Sequence, residues 1–227
     1  MRPQLLSSCR ALVAALSFAV FAATPSWGLP ILDQTNLILP TMGSAAVVTS
    51  QSLAQSFTVG IDGRLSQIDV QLWKTEGATG DDVLFRLLQT LPDGSPDTVS
   101  APLYETVIPL DDIAEDVTLP PTPPIQSIDV ATAGVFVSPG DVLAFSLSRD
   151  DVGAPPWVVW AVAGVDVYHD GRAFDSATGP DGPWEPFPGN PLRDLGFQTY
   201  VTIPEPASLL TMLSGAMVVA GGRRRFS

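Results

Sequence analysis

The chain holds one cysteine, one histidine and one lysine among its 227 residues. The cysteine, Cys9, lies in the N-terminal segment that carries an apolar core. The body of the chain therefore has no thiol for a disulfide, a metal or nucleophilic attack. A single histidine, His169, excludes a histidine-rich metal centre and leaves a hydrolase triad only one possible base. Nucleophile-elbow, Walker and dinucleotide fingerprints are also missing. Positive charge is scarce: 11 basic residues stand against 24 acidic ones. Five of the bases sit at the two ends, as Arg2, Arg10 and Arg223-Arg224-Arg225. Between Leu29 and Ile203, six bases face 23 acids, a formal charge of −17. Such a field repels phosphate backbones and anionic headgroups, which argues against nucleic acid as a partner.

What is present begins with a leader. Residues 1–28, MRPQLLSSCRALVAALSFAVFAATPSWG, combine a basic start, an uncharged Ala11–Ala23 core and a small-residue exit. That is the order of a secretory signal peptide. Cleavage after Ala22 and cleavage after Gly28 both fit. Thirteen uncharged residues make about 20 Å of helix, short of the ~30 Å hydrocarbon layer. Leu6-Ser7-Ser8-Cys9 has the look of a lipoprotein box, but it precedes the apolar core, where such a box follows it.

The C-terminal end, residues 204–227, has three parts in strict order: Pro204-Glu205-Pro206, an uncharged Ala207–Gly222 segment, and Arg223-Arg224-Arg225. The prolines hold the motif extended, since each lacks an N–H and restricts the residue before it. The apolar part suits a helix of about 24 Å, marginal for a permanent span. The arginines favour staying on the cytoplasmic side. This arrangement resembles the PEP-CTERM sorting signal of exported proteins in Gram-negative bacteria. The resemblance implies that Pro204, Glu205 and Pro206 are read by an exosortase, a membrane-embedded processing enzyme. It also implies transient inner-membrane anchoring, then a mature form at the cell surface or outside the cell.

Residues 29–203 read as one all-β domain. Ser66–Trp73 puts Ile68, Val70 and Leu72 on one face and Asp69 and Gln71 on the other. Ala54–Val59, Asp141–Ser148 and Leu195–Ile203 alternate likewise, with Phe57, Phe145 and Phe197 on the apolar sides. Val83–Gln89, apolar on both faces, is expected in a sheet centre, and further strands are expected near 103–109, 134–137, 157–163 and 165–168. Pro92-Asp93-Gly94-Ser95-Pro96 and Ser138-Pro139-Gly140-Asp141 are turns, and the Pro120–Pro124 cluster belongs to a loop or edge. Nine or ten short strands at this spacing predict a single antiparallel β-sandwich, jelly-roll-like, between the signal peptide and a hydrophobic sorting helix. Gln55-Ser56-Phe57-Thr58-Val59, Leu65–Leu72 and Asp194–Val201 resemble extracellular choice-of-anchor domains. That resemblance implies a cell-surface role and no particular activity.

Candidate chemistry within the domain is thin. Asp111-Asp112 with Glu115-Asp116, and Asp166 with Asp170-Gly171, supply hard oxygen ligands suited to Ca²⁺, though neither has EF-hand spacing. Paired carboxylates of the glycosidase kind are available by number alone. Trp184, in Gly179-Pro180-Asp181-Gly182-Pro183-Trp184, is a candidate sugar-stacking residue with Asp181 as its hydroxyl partner. Trp157 and Trp160, three apart on one strand, face opposite ways, so one of them belongs to the core. The expected function is that of a non-enzymatic surface or matrix protein without a required cofactor; the alternative is a carbohydrate-binding module for extracellular polysaccharide.

Overall fold

Alternating apolar residues separated by Gly, Pro and Asp turns send this chain into strands. The computed structural model describes residues 28–38, 43–47, 51–116, 123–149, 157–187 and 193–203. The leader core, most of the proline cluster and the sorting tail lie outside the described residues. One unit spans Pro30–Thr202. A second comprises the chain ends, and of it only Gly28, Leu29 and Ile203 are described.

In chain order the strands are β1 (Ile31–Asn36), β2 (Ser44–Val47), β3 (Ser52–Thr58), β4 (Gly63–Thr75) and β5 (Val83–Gln89). There follow β6 (Tyr104–Ile108), β7 (Glu115–Asp116), β8 (Ile125–Asp129), β9 (Phe136–Val137) and β10 (Val142–Ser148). The last five are β11 (Val158–Ala163), β12 (Ala173–Ser176), β13 (Glu185–Pro186), β14 (Asp194–Leu195) and β15 (Phe197–Thr202). One sheet runs β1-β15-β4-β11-β14, with β2 on β11 and β7, β8 and β9 on β4. The other runs β13-β12-β3-β10-β5-β6. Every pairing is antiparallel except the two-residue contact of β7 with β4.

The inner faces of the two sheets share one core. Phe57, Phe85 and Phe145 rise from neighbouring strands of the second sheet, all fully buried. Against them stand Trp160 and Phe197 of the first sheet, with ring centroids 5.5 and 5.6 Å from Phe145. Trp160 satisfies its indole N–H on the Gly196 carbonyl at 2.9 Å, so its large apolar area is buried without an unpaired donor. Leu143, Phe145 and Leu147 point inward, as do Ile68, Val70 and Leu72. Strand β5 is paired on both sides, as its two-faced apolar run leads one to expect. Trp160 is the core member of its pair, and Trp157 is exposed.

Asp69 and Gln71 lie on the face of β4 opposite Ile68, Val70 and Leu72, as alternation predicts, and both are buried there. Gln71 uses its side-chain amide to accept from the Ile38 N–H at 2.5 Å and donate to the Ile38 carbonyl at 3.2 Å. That contact closes a small second cluster of Ile38, Trp73, Val159, Ala161 and Ala163 over the outer face. Two expectations need correction. Residues 165–168 form no strand; the N–H groups of Val167 and Tyr168 go to a carboxylate instead. The fifteen strands among the described residues also exceed the nine or ten expected, because several are two to four residues long and carry too little alternation to be seen.

Candidate functional site

Asp194, on β14, is 1 % exposed and accepts three hydrogen bonds. Its Oδ2 accepts from the N–H groups of Val167 and Tyr168 at 3.0 and 2.9 Å. Its Oδ1 accepts from Gln55 Nε2 at 3.3 Å, and Gln55 Oε1 in turn accepts from the Leu195 N–H at 2.7 Å. Tyr168 continues the chain: its hydroxyl donates to Gln34 Oε1 at 3.1 Å and accepts from the Thr58 N–H at 3.3 Å. Burial raises the carboxyl of Asp194 above its ordinary range, against the lowering effect of its three donors. Burial likewise raises the Tyr168 phenol. These bonds hold the 164–172 loop on the ends of β3, β14 and β1.

That loop is seated by backbone contact. The Ser56 N–H donates to the Arg172 carbonyl at 3.0 Å, and Thr58 Oγ1 donates to the Asp170 carbonyl at 2.7 Å. A Cβ on Gly171 would lie 2.0 Å from the Ser56 carbonyl oxygen, so only glycine permits this approach. Arg172 then reaches outward: its Nη2 donates to the Asp93 carbonyl at 2.8 Å, and its guanidinium lies over the Phe174 ring at 5.5 Å. The expected Pro92–Pro96 turn is therefore bridged to the 164–172 loop, with Gly94 supplying a positive φ of 83°.

Between the two loops lies a cleft of about 330 Å³, lined by Ser56, Gly94, Asp166, His169, Arg172 and Asp194 among others. His169 stands at its mouth, its side chain 80 % exposed, with Nδ1 2.9 Å from Asp166 Oδ1. This is the base-and-orienter half of a triad. Ser56, the hydroxyl in the same cleft, accepts from the Arg172 N–H at 3.1 Å and donates to the Arg172 carbonyl at 3.3 Å. Its Oγ is thus engaged with the main chain, and no described hydroxyl bonds the imidazole.

The structure does not bring the other candidates into this cleft. Asp181 is exposed, and its Oδ1 is paired with Arg86 Nη1 at 2.5 Å, while Arg86 Nε holds Glu105 at 2.6 Å. Trp184 is half-buried, and its indole N–H is covered without a hydrogen-bond partner. The two therefore do not offer a free carboxylate beside an open indole edge. Asp111 and Asp112 are exposed on a short 3₁₀ turn. Among the described residues no three His, Asp or Glu side chains converge as a metal-ligand set. Pro204, Glu205, Pro206 and Arg223–Arg225 lie outside the described residues.

No protein-family model matches this chain, and no curated protein matches it. Its function is accordingly argued from its own residues. Of those in the cleft, sequence reasoning singled out Asp166, His169 and Gly171 but missed Asp194 and Arg172 as site residues. The one local signal for Asp194 is a carboxylate opening an apolar strand just before Gly196.

Proposed function

We propose that this is a non-enzymatic exported protein of the cell surface or extracellular matrix, processed at both ends. Its leader is residues 1–28; its tail, 204–227, is read by an exosortase-type enzyme while the apolar segment rests in the inner membrane. The observation that carries this reading is the order within the tail: Pro204-Glu205-Pro206, sixteen uncharged residues, then three arginines. Each part has its own physical task, namely an extended site for the enzyme, a temporary anchor and a cytoplasmic stop.

The body suits that life. A two-sheet fold with no cysteine in its strands needs no oxidising step to become stable, and a charge of −17 between residues 29 and 203 opposes clumping. We read the sheets as a jelly-roll-like sandwich. Strands β1 and β15 are direct neighbours, with Ile31 opposite Val201, so both ends of the Pro30–Thr202 unit lie side by side in one sheet. Cutting near 22–28 and near 204 removes no residue of any described ladder.

A transplant tests the tail alone. Residues 204–227 fused to an unrelated exported reporter are expected to bring about removal of the tail and release from the inner membrane in a host with an exosortase-type enzyme. A reporter that keeps its full length there, as it does in a host lacking the enzyme, would refute the assignment.

A further inference from the structure

We propose that the cleft between the Pro92–Pro96 turn and the 164–172 loop binds a neutral sugar, one residue or the end of a longer glycan. This inference rests on the cleft and is independent of the sorting tail. At about 330 Å³ the cavity lies at the small end of ligand sites. It is preformed: Gly171 is locked on Ser56, Arg172 on Asp93, and the loop's N–H groups on Asp194.

Its chemistry narrows the ligand. Ser56 and Asp194 are saturated by protein partners and form the floor. Asp166 Oδ2 and His169 Nε2 have no partner among the described residues, because the Asp166–His169 contact uses Oδ1 and Nδ1. One is an acceptor; the other accepts when neutral and donates when protonated. Arg172 adds donors beyond the one spent on Asp93. A sugar hydroxyl both donates and accepts, so adjacent hydroxyls can meet this set together. Val142, partly exposed in the lining, offers a small apolar surface for the C–H face of a ring. The charge of the body disfavours polyanions, and the guanidinium in the lining disfavours a bare metal ion. An apolar ligand would find Val142 as the only large apolar side chain of the lining.

The test uses the full chain, purified in a detergent without a sugar headgroup and titrated calorimetrically. The probes are glucose, galactose, mannose and N-acetylglucosamine, up to tens of millimolar, with glycine as a zwitterionic control. At least one sugar is expected to bind saturably. His169→Ala and Asp166→Asn should each weaken it about tenfold, the loss of one hydrogen bond. The exposed imidazole makes His169→Ala safe for folding, so its unfolding midpoint should match the parent. Trp184→Phe should leave binding unchanged. The proposal is overturned if none of the sugars binds, if only glycine does, or if binding survives both cleft variants, whatever Trp184→Phe does.

Discussion

Replacing Pro204-Glu205-Pro206 with three alanines is expected to convert the protein from an almost wholly processed form to a membrane-retained precursor that still ends at Ser227. The substitution removes two rigid φ angles and restores two backbone donors, so the extended stretch loses what keeps it out of a helix. It also removes the one acid between Ile203 and the C-terminus. The anchor itself is untouched: Ala207–Gly222 and the arginines remain, so the chain should still reach the membrane and stop there. Immunoblots of membrane and released fractions check this. Equal release of the triple-alanine and parent chains would mean that the motif is not what the processing enzyme reads.

Asp194→Ala is expected to lower the free energy of unfolding by about 3 kcal/mol, a large share of the roughly 5–15 kcal/mol typical of a domain. Three donors lose their acceptor together: the N–H groups of Val167 and Tyr168 and the amide of Gln55. Half-exposed Val167 can recover water, whereas Tyr168 and Gln55 are buried and cannot. Asp194→Asn keeps an acceptor but turns an NH₂ toward a donor, and should cost about 1–2 kcal/mol. Its dependence on pH has a definite sign. Because the folded carboxyl is raised above the unfolded value of 3.8, the folded state holds this proton more tightly. The associated stability is fully present below the unfolded pKa and is lost as pH rises through the folded one. The advantage of the parent over the asparagine variant should therefore shrink from about pH 4 upward. Urea unfolding at a series of pH values measures it. An alanine variant as stable as the parent would show that the network does not hold the loop.

The strands that could be read from the amino-acid pattern are those with one wholly buried face. Phe57, Phe145 and Phe197 mark β3, β10 and β15 because alternation there is a direct image of the core. Strand β1 escaped notice since it lies on an edge, with Ile31 and Leu32 exposed, and its pattern carries little contrast. On the other face of β4 alternation gave the side but not the burial: Asp69 and Gln71 are polar yet buried, and Gln71 is satisfied by a residue 33 positions away. The cleft was half visible. Asp166 and His169 stand three apart and meet through local geometry, whereas Asp194 is one of 24 acids, distinguished only by Gln55, 139 positions distant. Long-range register decides such a site, and a one-residue slip in β14 would turn Asp194 to the other face.

Intact mass of the native protein, recovered separately from the cell surface and the medium, tests the central claim most directly. The account predicts a chain that has lost its leader near Ala22–Gly28 and its tail near Pro204–Pro206, with any attached group visible as added mass. A mature chain still ending at Ser227 would contradict it, and the last two dozen residues would then be a lasting anchor or part of the fold.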